Sequence, residues 1–175
     1  MPPQHRYAFV LQPDAEAAGR IGRLTERLLR VRGGRPTPPA RLHVSLASVG
    51  GEGAPNPDRA RRAARAAAMV RRDRFVLAFN RIAVFETARA LVLRGDEGVI
   101  GVDLLQAALG AALADAGVTP RRRRAFEPHL TLVRDADAAP EVVIAPLAWT
   151  AREFLLVHGV AGRPRYDVVA RFPLG

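Results

Sequence analysis

Cysteine is missing from this 175-residue chain, and so is lysine. The first absence excludes disulfides and thiolate-bound metal or cluster sites. The second makes all 27 basic residues arginine, set against 17 acids for a formal charge of +10. No run approaches about 18 consecutive apolar residues, so no membrane-spanning segment is expected. No basic stretch leading into an apolar one opens the chain, so secretion is not expected and the cytoplasm is the default location. Aromatic residues make up only 6% of the chain and histidine occurs four times. What remains is an ordinary soluble composition, 49% apolar and 25% charged. The length suits one domain, residues 1–175, with enough chain to bury a proper core.

The positive charge points to an anionic partner such as RNA or a nucleotide. Arginine and alanine enrichment also follows from a GC-rich genome, so charge alone is a weak guide. Arginine is nevertheless the better residue for forked contacts to phosphate.

The informative residues are the histidines. His43-Val44-Ser45-Leu46 and His129-Leu130-Thr131-Leu132 each place a hydroxyl two positions after an imidazole, inside a short apolar run. Side chains alternate along a strand, so residues i and i+2 share a face. Each imidazole then stands beside its hydroxyl, while Val44 and Leu46, or Leu130 and Leu132, point into a core. The chain has eight serines plus threonines, so a given histidine has roughly a one-in-twenty chance of this partner; two of four is a coincidence of about one in a hundred. Side by side, two such strands enclose a volume suited to a phosphate. His5 and His158 lack the hydroxyl and are expected to be structural or surface residues.

The rest of the chain reads as strands and helices in mixed order. A strand is expected over Arg6–Leu11, then a helix capped by Asp14 and running to about Arg30, stopped by Gly33-Gly34. A proline-rich loop leads into the first histidine strand, about Arg41–Val49, and Gly50–Gly53 form a turn. Asn56-Pro57 starts a second helix. Arg74–Val84 and Leu91–Leu93 form a hairpin, and Asp103–Gly117 a third helix. Four arginines, Arg121–Arg124, precede Phe126, Pro128 and the second histidine strand. Phe126 is expected in the core. Asp135–Pro140 is expected as loop, with Glu153–Val160 and Tyr166–Phe172 as closing strands. Antiparallel hairpins mixed with single helices indicate an α+β fold. The histidines lie half a chain apart, as in two lobes that each supply one wall of a cleft.

At these residues the chain resembles the 2H phosphoesterase superfamily, and within it the bacterial RNA 2′,3′-cyclic phosphodiesterases long called 2′-5′ RNA ligases. The two His-x-Thr/Ser-x motifs match. So do Arg41-Leu42 and Gly50 around the first, Arg124–Pro128 and Val133-Arg134 around the second, and the ending Glu153–Val157 with Tyr166–Val169. The resemblance implies a bilobal, pseudo-symmetric α+β fold, with two antiparallel sheets lining a central cleft and helices outside. Two departures stand out. An aromatic residue usual after the first motif is replaced by Ala47-Ser48, and a serine usual near the end of the closing strand by His158-Gly159.

The implied chemistry is the opening of a 2′,3′-cyclic phosphate to a 2′-phosphate, with 2′-5′ joining when a 5′-hydroxyl replaces water. One imidazole as acid and one as base suffice, because imidazole titrates near neutrality. By resemblance His43 is the proton donor and His129 the proton acceptor. Ser45 and Thr131 donate hydrogen bonds to the phosphate oxygens, and Arg124 and Arg134 steady the phosphate or the RNA end. No cofactor or metal is expected: two histidines lack the further ligands of a zinc site, unless Glu127 supplied one. The expected partners are RNA ends or nucleotides, with no membrane, and the expected state is a monomer. The alternatives are a phosphodiesterase acting on 2′-5′-linked oligonucleotides or another small cyclic phosphodiester, and a non-catalytic RNA-binding protein.

Overall fold

The computed structural model describes residues 4–50, 56–118 and 125–175. Of the expected turn Gly50–Gly53, residues 51–53 lie outside the described residues, as do the arginines Arg121–Arg124.

Strand β1, His5–Leu11, is followed by helix α1, Ala15–Arg32. The Asp14 carboxylate accepts from the Ala17 N–H at 2.8 Å, which starts α1, and Gly33 ends it at a positive φ of 65° that suits glycine. The short strand β2, Arg35–Pro36, and a 3-10 turn at Pro39–Arg41 lead to β3, Val44–Ser48. The first histidine strand is therefore shorter than expected. The 3-10 turn takes Arg41, and Leu42 and His43 come just before the strand. Helix α2, Pro57–Ala67, begins as expected, with the Asn56 side chain accepting from the Arg59 N–H.

The second half runs β4, Phe75–Phe85; β5, Ala90–Arg94; α3, Ile100–Asp115; and β6, His129–Arg134. With its leading 3-10 turn, α3 forms a 19-residue stretch apolar enough to cross a membrane by composition. Its Val102, Leu105, Leu109 and Leu113 are fully buried in the core cluster they share with the sheet, as in a core helix. Strands β7, Val142–Ala151, β8, Glu153–Val160, and β9, Asp167–Pro173, complete the chain. Strand β7 was not expected, because Pro146 interrupts its apolar run. It lies at the end of the sheet and its pairing with β4 skips from Leu147 to Val143, so the proline falls in a bulge on an edge strand, where no ladder donor is needed.

Among the described residues the strands run in the order β7-β4-β5-β6-β3-β1-β8-β9. This order has a centre. Strand β1 leads through α1 to its antiparallel neighbour β3, as β5 leads through α3 to β6. The two half-sheets join at β3 and β6 into one antiparallel sheet, where two sheets were expected, and each half carries one histidine motif at its inner strand. Strands β3 and β6 join at a single residue pair, Val44 with Leu130, and β2 pairs with β6 at Arg134 and Val133. Val44 and Leu130 are fully buried, each burial contributing about 1.5–3 kcal/mol. One continuous apolar cluster, from Phe9 and Ile21 to Leu105 and Leu132, underlies both half-sheets. On the opposite face lie two small clusters, Val10 with Leu155 and Val157, and Ala83 with Ala90 and Val92. Alanine and valine there keep both walls low and leave space between them.

Candidate active site

That space is a cleft of about 370 Å³. His43, Ser45, His129, Thr131 and Arg134 all line it. Burying Val44 and Leu130 on one face turns their neighbours in sequence to the other. The seam sets their arrangement as well. The one pair Val44–Leu130 is flanked by His43 and Ser45 on one side of the seam and by His129 and Thr131 on the other.

The same device orients both rings. His43 Nδ1–H donates to the Arg41 carbonyl at 2.7 Å, and His129 Nδ1–H donates to the Glu127 carbonyl at 2.8 Å. A proton held at Nδ1 leaves Nε2 as the nitrogen that exchanges protons. An aromatic edge braces each ring: Tyr166 at 5.3 Å from His43 and Phe85 at 4.8 Å from His129, centroid to centroid. Burial pushes the His43 imidazole below its ordinary pKa. The Arg41 carbonyl pulls it up, while the charges on Arg41, His129 and Arg134 lower it further.

The structure places the other candidates as follows. Arg124 lies outside the described residues. Glu127 gives its carboxylate to Arg94, which also binds Glu141 at 2.8 Å, so it is engaged in an ion pair near His129. Phe126 packs against the main core, as expected. His158 stacks on Tyr7 at 4.7 Å and on His5 at 5.1 Å, in line with a structural role. His5, expected to be structural or at the surface, also lines the cleft.

Sequence reasoning missed Gln4, Arg6, the Arg41 side chain, Phe85 and Tyr166 as cleft residues. Alternation along β1 could have placed Arg6 beside Ala8 and Val10. Nothing local brings Tyr166 to His43, 123 positions away.

With this geometry in view, residues 4–160 match the family described as the 2′-5′ RNA ligase superfamily. The chain belongs to that superfamily. Its fold agrees with solved structures over nearly the whole of both chains. A structure described only as a phosphoesterase superposes with a TM-score of 0.81 at 25% identity, covering 97% of this chain and 98% of that one. Escherichia coli LigT, solved with 3′-AMP, gives 0.79 at 28% identity, covering 98% of each chain. LigT has also been solved with phosphate and with ATP. A Thermus thermophilus protein, TT0787, gives 0.74 at 24% identity with 97% coverage of each, a likeness of fold. No curated protein sequence matches. Members of this superfamily process phosphodiesters, and this chain is a phosphoesterase.

Proposed function

We propose that this phosphoesterase opens 2′,3′-cyclic phosphates at RNA or nucleotide ends to 2′-phosphomonoesters, and that 2′-5′ joining is the same ring opening with a 5′-hydroxyl in place of water. His129 takes a proton from water as its oxygen bonds to phosphorus. The bond from phosphorus to the 3′ oxygen breaks, and His43 gives that oxygen its proton. Ser45 and Thr131 donate hydrogen bonds to the non-bridging oxygens as charge gathers on them. Arg134, and Arg124 beside the second motif, attract the anion. The protein works as a monomer in this scheme and needs no metal.

The observation that carries the reading is the duplicated histidine: two imidazoles on one cleft, each tethered through Nδ1 to a carbonyl two residues back. A phosphate between two proton-exchanging nitrogens is what in-line displacement at phosphorus requires. The bound nucleotide and phosphate of E. coli LigT are consistent with such an occupant.

The test is turnover of nucleoside 2′,3′-cyclic phosphates in EDTA, with the product position assigned by phosphorus NMR. Undiminished turnover to the 2′-phosphate is expected. Loss of activity in chelator, or a 3′-phosphate product, overturns the scheme.

A donor must hold its proton, yet burial and the Arg41 and Arg134 charges depress His43. A phosphate in the cleft offsets those charges, and an anion beside an imidazole favours its protonated form. Inorganic phosphate should therefore raise the His43 pKa in an NMR titration of the histidine ring protons. By linkage, phosphate should bind more tightly as pH falls through that pKa. A His43 titration unmoved by saturating phosphate removes it from the phosphate site.

A further inference from the structure

The chain lacks the aromatic residue expected after the first motif, and the structure offers another flat surface in the same cleft. Arg41 lays its guanidinium over the Tyr166 ring, 4.5 Å from the centroid. A hydrogen bond of 2.8 Å from its Nη1 to the Arg163 carbonyl holds it there. Both residues line the cleft and both are partly exposed. The seat beneath them depends on Gly159. A Cβ at that position would come within 2.8 Å of the Tyr166 ring and 3.5 Å of the Arg41 guanidinium. Gly159, having no side chain, thus leaves room for the pair.

We propose that the Arg41–Tyr166 pair is the seat of the terminal nucleobase, with the base stacking on the guanidinium plane. An arginine plane stacked on an aromatic ring presents a flat, delocalised cation with its donors directed sideways, which suits the face of a base. The location fits the chemistry. In opening a cyclic phosphate, the departing 3′ oxygen belongs to the nucleoside, so that nucleoside lies on the donor's side. Tyr166 stands edge-on to His43, the donor, and Arg41 is two residues before it. Phe85, against His129, is on the side of the attacking water. The choice of lobe rests on the donor assignment above; the stacking surface does not.

Binding without turnover tests this separately from the reaction. Calorimetry with 3′-AMP and with ribose 3-phosphate measures what the base adds. Wild type should prefer 3′-AMP by about 5- to 150-fold, the range for one stacked base. Arg41→Lys keeps the charge and removes the plane, so it should lose most of that preference while binding ribose 3-phosphate as before. Tyr166→Leu should do the same, and Tyr166→Phe, which keeps the ring, should not. A preference that survives Arg41→Lys, or that is lost in Phe85→Ala instead, overturns the proposal. If neither compound binds wild type, the phosphate site itself fails and the base seat falls with it.

Discussion

His43→Ala and His129→Ala should each lower kcat/KM for a nucleoside 2′,3′-cyclic phosphate by about 10²- to 10⁴-fold, the range for a positioned acid or base. Alanine also removes the ring from its brace and its carbonyl, so a second substitution isolates the chemistry. Asparagine places an N–H close to the imidazole Nδ1 and can keep the bond to the Arg41 or Glu127 carbonyl, while nothing replaces Nε2. His43→Asn and His129→Asn should thus fold with near wild-type melting temperatures and be as inactive as the alanine variants. The double variant should be little worse than either single one, because acid and base act as a unit. Steady-state rates beside thermal melts decide it. An asparagine variant keeping a tenth of the activity would mean that Nε2 does not carry the proton.

The second large effect belongs to the hydroxyls. Thr131→Val is nearly isosteric and removes one donor, so kcat should fall by about 10²- to 10³-fold, as for an oxyanion-hole donor. KM should change much less, because the donor matters most when charge accumulates. Thr131→Ser, which restores the hydroxyl, should recover most of the rate. Ser45→Ala should cost less than Thr131→Val. Ser45 is the more exposed of the two, and water can take over part of its role. Equal losses in kcat and in the affinity for 3′-AMP would show that these hydroxyls bind ground and transition states alike.

The contrast between Thr131 and Tyr166 shows how legible the site was. Thr131 was readable because its place follows from alternation within one strand, anchored by the burial of Leu130 and Leu132. Tyr166 lies in the loop before β9, and no periodicity says which residue will meet it. The Arg41 side chain was hidden for a related reason. Its neighbours Leu42 and His43 read as strand, whereas Pro38 and Pro39 force a 3-10 turn that aims it at Tyr166. Strand β7 went unread because proline excludes a central strand but not an edge, and edge or centre is a property of the assembled sheet.

The sequence by itself determined the local terms: helix starts at Asp14 and Asn56, and apolar alternation that puts each imidazole and its hydroxyl on the same side of a strand. Those depend on residues one to four positions apart, where geometry follows from the backbone alone. Tertiary structure decided which strands became neighbours, and with that the seam at Val44 and Leu130, the meeting of both motifs on one cleft, and the aromatic rings beside each histidine. These are pairings between residues tens to more than a hundred positions apart. They are selected by burying one shared core beneath both half-sheets, a condition that no short stretch of the chain can express.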